Sequence, residues 1–291
     1  YNIESCVLLD SEITSKIHDL VKLFFSQKSK SFIPGQTLIP IASPPYGHEE
    51  VNEAIDSLLS TYVTMGDKVK QFERDYAQYI GVKYAIMVNS GSSTNLLALA
   101  ILTNPNLKNQ LNPGDEIITP ALTWVTTVYP IVNNGLIPVF VDVEKESFEI
   151  DVDKIEGAIT KKTKAIMPVH LLGNPVKIEK IKEIAKKHNL IVIEDSCEAH
   201  GAEVNGKKIG SFGDMSTFSF FLSHHITTIE GGMLLTNNEE YYEIGKALRA
   251  FGWIRDLKDK VEIGKKNPEL DSRFFFLNMG FNIRTTEIQG A

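Results

Sequence analysis

The sequence predicts an α/β protein with a mainly parallel, seven-stranded sheet between two layers of helices (α/β/α). From about residue 83 onward, short apolar runs rich in valine and isoleucine alternate with amphipathic segments of helical period. The apolar runs are continuous, which is typical of parallel strands that are covered by helices on both faces. With 291 residues, of which 43% are hydrophobic, the chain is long enough for one large domain and part of another.

Seven segments have the length and composition of buried strands. In chain order they are KYAIMV (83–88), DEIITP (115–120), IPVFVDVE (137–144), KAIMPVHL (164–171), LIVIED (190–195), STFSFF (216–221) and GGMLLTN (231–237). Helices are predicted over residues 95–102, 176–188 and 239–252. In the second of these helices, Ile181 and Ile184 fall on one face, which indicates packing against the sheet.

The first 80 residues follow a different pattern, with helices predicted near residues 11–25, 48–60 and 67–80 and a proline-rich connector after the first. We divide the chain into an N-terminal helical extension and connector (1–45), a large domain (46–252) and the start of a C-terminal small domain (253–291). Thr285 or Thr286 caps a last helix, just before the chain stops. We therefore expect a fragment whose small domain is incomplete.

Composition excludes several classes of protein. The net charge of -7 argues against nucleic-acid binding. No apolar run approaches the roughly 18 residues that a membrane span requires, and the first residues lack the pattern of a signal peptide. Cys6 and Cys197 lie far apart and have no metal-ligand spacing. The expectation is a cytoplasmic protein without a metal site or a disulfide framework.

Several polar or aromatic side chains follow the predicted strands, and each has a functional and a structural interpretation. In NSGSSTN (89–95), small residues before a helix can bind an anion through backbone N–H groups and the serine hydroxyls, or can form a plain capped turn. Asp195 ends a strand and can pair with a protonated pyridine nitrogen, or can cap a loop. Trp124 can stack on a flat ring, or can pack in a core or an interface.

Further candidates lie at two other strand ends. His170 and Asn174 can bind a ligand, or can belong to a turn built on Gly173 and Pro175. Ser219 lies on the strand that leads into SHHITTIEGG (223–232), five residues before His224, and can add a phosphate contact. His224 in this loop is a candidate proton acceptor, since an imidazole titrates near neutral pH.

Many ordered segments of the chain, from about residue 40, resemble the DegT/DnrJ/EryC1/StrS sugar aminotransferase family, whose members are fold-type-I pyridoxal phosphate enzymes. The segments include TMGDKVKQFERDYAQYIGVKYAIMVNSGSSTNLLAL, IEDSCEAHGA, GSFGDMSTFSFF and GFNIRTTEIQGA. The resemblance implies that the cofactor phosphate contacts Gly91, Ser92, Ser93 and Ser219, that Trp124 stacks on the pyridine ring, and that Asp195 pairs with its nitrogen. It also implies a homodimer with shared active sites, in which Asn282 reaches the neighbouring site. Candidate substrate contacts are His170, Asn174, Glu198, His225, Asn282 and Arg284.

The sequence departs from the family's aminotransferases at residue 224, where they have the lysine that binds the cofactor covalently. With His224 there, the chain is similar to the family's 3-dehydratase branch, which acts on nucleotide-linked 4-keto-6-deoxyhexoses in deoxysugar and lipopolysaccharide biosynthesis. The resemblance implies non-covalent pyridoxamine or pyridoxal 5'-phosphate, His224 as the base, and glutamate as amino donor. An imidazole cannot form the covalent link of a lysine, but it can move a proton.

Some members of this branch contain a [2Fe–2S] cluster, and Cys197 lies where they have one ligand. Such clusters take four thiolates, whereas this chain has two cysteines, so no cluster is expected. Two alternatives stay open at this point. One is an ordinary aminotransferase, which would need another lysine such as Lys207 or Lys208. The other is a catalytically inactive, cofactor-binding regulator.

Overall fold

The computed structural model of this chain describes residues 3–27, 32–40 and 46–291, with side chains from residue 11 onward. Its ten helices in these ranges are α1 (Ile3–Gln27), α2 (His48–Leu59), α3 (Asp67–Ile80), α4 (Gly91–Leu102), α5 (Val125–Asn133), α6 (Val152–Ala158), α7 (Ile178–His188), α8 (Glu239–Arg249), α9 (Lys260–Lys266) and α10 (Glu287–Gly290). No described helix combines the length and the apolar character that a membrane span requires.

The predicted seven-stranded sheet is confirmed. Its strands are β1 (Tyr84–Val88), β2 (Glu116–Pro120), β3 (Ile137–Val141), β4 (Thr163–Ile166), β5 (Ile191–Asp195), β8 (Met215–Ser219) and β9 (Gly232–Thr236), while β6 (Glu203–Val204) and β7 (Lys207–Lys208) form a separate hairpin. The order across the sheet is β1-β9-β8-β5-β4-β2-β3, and only β9 runs antiparallel to its neighbours. The other six strands are parallel to one another, so their carboxyl ends all lie on the same side of the sheet.

Helices cover both faces of the sheet, as the continuous apolar runs predicted. On β1, Ile86 and Val88 pack with α4 and α8, whereas Ala85 and Met87 pack with α3 on the opposite face. On β5, Ile193 and Val192 likewise belong to the cores on opposite faces, because successive side chains of a strand point to opposite sides of the sheet. The α/β/α architecture is confirmed, and its core lies in two layers.

Most predicted helices are confirmed, with shifted ends. The helix expected at 95–102 begins at Gly91, so the serine turn is its first turn. The helix expected at 239–252 ends at Arg249, because Phe251 and Gly252 have positive φ angles. The last helix begins after Thr286, which caps it as one of the two expected residues. The division of the chain into domains remains a prediction.

Candidate active site

A cleft of about 440 Å³ lies at the carboxyl ends of β1, β2, β4, β5 and β8. Its lining residues come from the ends of these strands and from the turns, helices and loops that follow them. They are Ser90, Gly91, Ser92, Thr123, Trp124, Thr126, Thr127, Val169, Leu171, Asp195, Cys197, Glu198, Ser219, Phe221, Ser223, His224 and Glu230. The cleft thus brings together seven residues expected from the sequence, namely Gly91, Ser92, Trp124, Asp195, Glu198, Ser219 and His224.

The first turn of α4 forms one end of the cleft. Ser90 is its N-cap and accepts a hydrogen bond from the Ser93 backbone N–H at 3.1 Å. The Ser93 hydroxyl donates to Asn89 Oδ1 at 2.7 Å, so this side chain belongs to the cap and does not line the cleft. Ser92 is exposed to the cleft. Free N–H groups and a hydroxyl at a helix N-terminus form a suitable anion site.

Gly91 packs directly on Ser219 across this end of the cleft. A Cβ atom at residue 91 would lie 2.4 Å from Ser219 Cβ and 2.7 Å from its Oγ, so any larger residue would displace the serine. Only glycine therefore allows the α4 turn and the end of β8 to approach each other this closely.

Asp195 ends β5 and is 4% exposed. Its Oδ2 atom accepts hydrogen bonds from Asn95 Nδ2 at 3.0 Å and from Thr127 Oγ1 at 2.8 Å. Its Oδ1 atom accepts one longer bond, from the Cys197 backbone N–H at 3.3 Å, and keeps further acceptor capacity. The carboxylate is thus fixed through one oxygen, while the other can pair with a cationic ring nitrogen.

Trp124 caps α5 at the mouth of the cleft, and 72% of its surface is exposed. The alternative of a core tryptophan is therefore wrong, while the alternative of an interface tryptophan stays untested. An exposed indole beside a polar cleft provides a flat apolar surface on which an aromatic ring can stack.

His224 lies in the loop between β8 and β9 and lines the cleft. Within the described part of the chain, no hydrogen bond occupies its ring nitrogens. Burial lowers the pKa of His224 below its ordinary value, the negative charges of Glu198 and Asp195 oppose this effect, and the nearby His225 adds to it. The imidazole is therefore mainly neutral near pH 7 and able to accept a proton.

The expectation that His170 contacts a ligand does not agree with its environment. The side chain is fully buried and does not line the cleft. Its Nε2 atom donates to Glu194 Oε2 at 3.1 Å, and its Nδ1 atom accepts from the Val176 N–H at 3.2 Å. Both ring nitrogens are engaged, so the structural interpretation of His170 is favoured. Asn174 is exposed on the following turn, outside the cleft lining.

Three other expected substrate contacts also lie outside the cleft lining. His225 is exposed, with its ring 5.9 Å from that of His200. Asn282 and Arg284 line a second cleft, where Arg284 Nε donates to Asn282 Oδ1 at 3.2 Å. The expected contact of Asn282 with a neighbouring subunit remains a prediction.

The two donors to Asp195 were not predicted from the sequence, although Asn95 ends the segment NSGSSTN and Thr127 follows Trp124 closely. Proximity to a candidate turn is a weak signal, since both are ordinary helical residues in sequence. Cys197 lines the cleft as a thiol, because burial raises its pKa well above the ordinary value. Among the described residues, no group of three or more His, Cys, Asp or Glu side chains could hold a metal ion.

Residues 45–291 match the sequence profile of the DegT/DnrJ/EryC1/StrS aminotransferase family. The chain belongs to this family. It is 44% identical over 254 residues to a GDP-4-keto-6-deoxy-D-mannose 3-dehydratase of Yersinia pseudotuberculosis, an alignment that covers 87% of this chain and 64% of the relative. The chain spans 60% to 65% of the length of this and two other curated relatives, which is less than two thirds.

Two solved structures resemble the fold of this family member, both with a TM-score of 0.82 and 42% identity over 87% of the chain. One is the GDP-4-keto-6-deoxy-D-mannose 3-dehydratase of E. coli with bound hydrated PLP, of which 65% is covered. The other is a GDP-4-keto-6-deoxymannose 3-dehydratase with a trapped PLP-glutamate geminal diamine, of which 66% is covered. The expected fold-type-I architecture is thereby confirmed.

Proposed function

We propose that this chain is a pyridoxamine-phosphate-dependent 3-dehydratase, which removes the C3 hydroxyl group of a nucleotide-linked 4-keto-6-deoxyhexose. One observation carries the proposal: His224 lines the same cleft as Asp195 and the serine turn, and no lysine is among the described residues that line it. A base is thus present where the aminotransferases of the family have their covalent cofactor link. We assign the reaction to deoxysugar and lipopolysaccharide biosynthesis.

The residues of the cleft fit pyridoxamine or pyridoxal 5'-phosphate. The first turn of α4, with Gly91, Ser92 and Ser219, would bind the phosphate through N–H and hydroxyl donors. Asp195 would pair with the ring nitrogen, and Trp124 would stack on the ring. The close Gly91–Ser219 packing supports this assignment, since a side chain at residue 91 would displace a phosphate donor.

When bound, pyridoxamine phosphate supplies an amine that joins the C4 ketone of the sugar and a ring that conducts electrons toward the C3–OH bond. Asp195 would pair with the protonated ring nitrogen, because Asn95 and Thr127 hold its carboxylate in place. With the cofactor bound, His224 would accept a proton from the carbon that carries its amine, and the C3 hydroxyl group of the sugar would leave as water. Hydrolysis would then release a 3,6-dideoxy-4-keto sugar and ammonia and leave the cofactor in its pyridoxal form, which an amino donor must convert back to the amine.

His224 suits this role for two reasons. Partial burial lowers its pKa, so that the neutral form is available at neutral pH. An imidazole also leaves the cofactor bound non-covalently, so that the amine form is available to the substrate. Glu198 stands near it and accepts the Leu172 N–H at 2.6 Å, leaving its other oxygen for substrate hydroxyl groups.

We infer the substrate and the amino donor from the names of relatives. The Yersinia relative is named for a GDP-linked keto-deoxymannose, which supports a nucleotide-sugar substrate. A relative's structure contains a PLP-glutamate adduct, which supports glutamate as the donor that regenerates the amine cofactor. The expectation that no iron–sulfur cluster is needed remains a prediction, since Cys6 lies outside the residues with described side chains.

An ordinary aminotransferase would need a lysine within reach of the cofactor. Lys207 and Lys208 lie on the β6–β7 hairpin and are absent from the described lining of the cleft. The Lys208 ammonium donates to Glu203 at 3.0 Å, and that of Lys207 stands 4.5 Å from the centre of the Phe212 ring. The dehydratase proposal is therefore better supported.

We further propose a cytoplasmic homodimer. On α5, Val125, Tyr129 and Val132 are exposed by 45% to 59% and share one helical face beside the cleft. Asn282 and Arg284 line a different cleft from the one that contains His224. In a dimer, their side chains could therefore contact the neighbouring subunit. Sedimentation at several concentrations tests this assembly, and a monomer at micromolar concentration would contradict it.

The function is tested by incubating the protein with pyridoxamine phosphate, glutamate and a series of nucleotide-linked 4-keto-6-deoxyhexoses. Mass spectrometry of the products should find a sugar that has lost the C3 oxygen. An amino sugar as the sole product would favour the aminotransferase. Tight cofactor binding without any turnover of the whole series would favour an inactive regulator.

A further inference from the structure

His200 connects three separate segments behind the anion-binding end of the cleft. Its Nδ1 atom lies 2.8 Å from the hydroxyl oxygen of Tyr76 on α3. Its Nε2 atom lies 2.8 Å from the backbone oxygen of Ser219, the last residue of β8. Its ring also packs against Phe218 and Phe220, with centroids 5.1 and 5.4 Å away. The ring itself does not line the cleft.

The hydrogen bonds define which nitrogen of His200 carries the proton. A backbone carbonyl can only accept, so Nε2 must be the N–H donor to Ser219. Nδ1 is then a lone pair that accepts the hydroxyl hydrogen of the buried Tyr76. Burial lowers the pKa of His200 to about 4, so that the ring is neutral at physiological pH. The neutral ring of His200 therefore cannot act as a general acid at that pH.

The position of His200 is explained by the end of the β5–β8 ladder. Asp195 of β5 pairs with Thr217 of β8, and the Ser196 N–H donates to the Thr217 carbonyl at 2.9 Å. The Ser219 carbonyl is the next one on the same side of β8, because successive carbonyls alternate. Strand β5 ends at Asp195, before this point, so none of its N–H groups reaches the Ser219 carbonyl. The imidazole N–H of His200 donates to that carbonyl instead.

Ser219 is in turn the contact between β8 and the α4 turn. Its Cβ and Oγ atoms pack on Gly91, where even a methyl group would not fit. Its Oγ atom also accepts the Phe221 N–H at 3.3 Å, at the start of the loop that contains His224. A shift in the Ser219 backbone would therefore move a proposed phosphate donor and the start of that loop together.

We propose that His200 is a positioning residue that fixes Ser219 against Gly91 and thereby sets the affinity of the cleft for the phosphate group of the cofactor. The inference rests on the proposed function, in which Ser219 donates to that phosphate. It assigns His200 no contact with cofactor or substrate. Its effect on binding must accordingly pass through the Ser219 side chain.

The test is a double-mutant cycle with two ligands, pyridoxal phosphate and pyridoxal, whose dissociation constants are measured by absorbance titration. His200→Phe keeps a ring of similar size but removes the N–H donor. We expect it to weaken pyridoxal phosphate binding about tenfold or more and to leave pyridoxal binding nearly unchanged. In a Ser219→Ala background the same substitution should have little further effect, since coupled residues are not additive.

Two further variants separate positioning from folding. His200→Gln can place an amide N–H near the Ser219 carbonyl and should restore most of the phosphate preference. Tyr76→Phe removes the other hydrogen bond of the His200 ring. It should change the ratio of the dissociation constants of pyridoxal and pyridoxal phosphate less than about threefold. An NMR measurement of the His200 ring nitrogens, made without cofactor, should find the neutral Nε2–H form above pH 5.

The outcomes are distinguishable. If the parent protein binds pyridoxal phosphate no better than pyridoxal, the proposed phosphate site is wrong and the inference falls with it. If the parent prefers pyridoxal phosphate but His200→Phe retains that preference, or loses it additively with Ser219→Ala, only the inference is overturned. Equal weakening of both ligands by His200→Phe would indicate a general structural role and would also overturn it.

Discussion

Thr127 Oγ1 donates a 2.8 Å hydrogen bond to Oδ2 of Asp195, although 68 residues separate them in the chain. Asn95 donates to the same oxygen at 3.0 Å. Helices α4 and α5 thus each supply one donor to the carboxylate at the end of β5. The two hydrogen bonds hold the Asp195 carboxylate in one orientation, because both donors lie on helices packed against the sheet.

Thr127→Val removes one of these donors while keeping the shape of the side chain. We expect a loss of about 1–3 kcal/mol in the free energy of unfolding, since a buried polar group loses a partner. The absorbance of bound cofactor should also change, because Asp195 is less firmly oriented toward the ring nitrogen. Thr103→Val is the matched control. Its hydroxyl, just after α4, bonds to the Leu99 carbonyl at 3.1 Å and to Asn134 Oδ1 at 3.3 Å, outside the lining of the cleft, so its loss should leave the cofactor spectrum unchanged. Identical spectra for both variants would contradict the assigned role of Thr127.

The pH dependence of activity should follow the charges around His224. The base acts when neutral, so the rate rises with pH through its pKa. Because the negative charge of Glu198 raises this pKa, Glu198→Gln should lower it and move the acidic limb of kcat/KM to lower pH. His225→Gln should move the limb in the opposite direction, because a charged His225 lowers the same pKa. Shifts of the same sign in both variants would contradict this account.

Gly91→Ala tests the close approach of the α4 turn to β8. The new methyl group would lie 2.4 Å from Ser219 Cβ, so either segment must move. We expect pyridoxal phosphate affinity to fall, together with a loss of about 1–3 kcal/mol in stability from overpacking. Gly157→Ala on α6 is the control, because its Cβ atom would meet no atom within 4 Å. It should stabilise the protein by about 0.5–1 kcal/mol and leave cofactor affinity unchanged.

Glu149 is a buried carboxyl group whose Oε1 atom has no hydrogen-bond partner within the described chain. Burial, assisted by the charge of Glu144, raises its pKa to about 7. Between about pH 4.5 and 7 the folded state therefore binds more protons than the unfolded state, so this group lowers stability as the pH rises. The free energy of unfolding, measured with urea, should decline less over this pH range for Glu149→Gln than for the parent. For Glu146→Gln, a change on the exposed part of the same loop, the free energy of unfolding should decline as it does for the parent. Parallel declines for all three proteins would exclude the assigned effect of Glu149.

Features that depend on local order along the chain were predictable. A buried run followed by a carboxylate places Asp195 at the end of β5, and small residues before an apolar helix place Ser92 at an N-terminus. Features that depend on distant packing were not predictable. His170 also ends an apolar run, but it meets Glu194 from the neighbouring strand, and nothing in its own segment indicates that partner. Helix α5 was not predicted either, and Pro130 within it is a residue that usually ends helices.

The central claim is that His224 is the base and replaces a covalent lysine. His224→Lys tests it most directly, with the neighbouring His225→Lys as control. After incubation with pyridoxal phosphate and borohydride, intact-protein mass should show covalent cofactor on the first variant only, because residue 224 lines the cleft and residue 225 does not. The same variant should lose formation of the 3-deoxy sugar, while its affinity for cofactor persists through Asp195, Trp124 and the serine turn. If His224→Lys forms the 3-deoxy sugar as fast as the parent, His224 is not the essential base and the proposed mechanism is wrong.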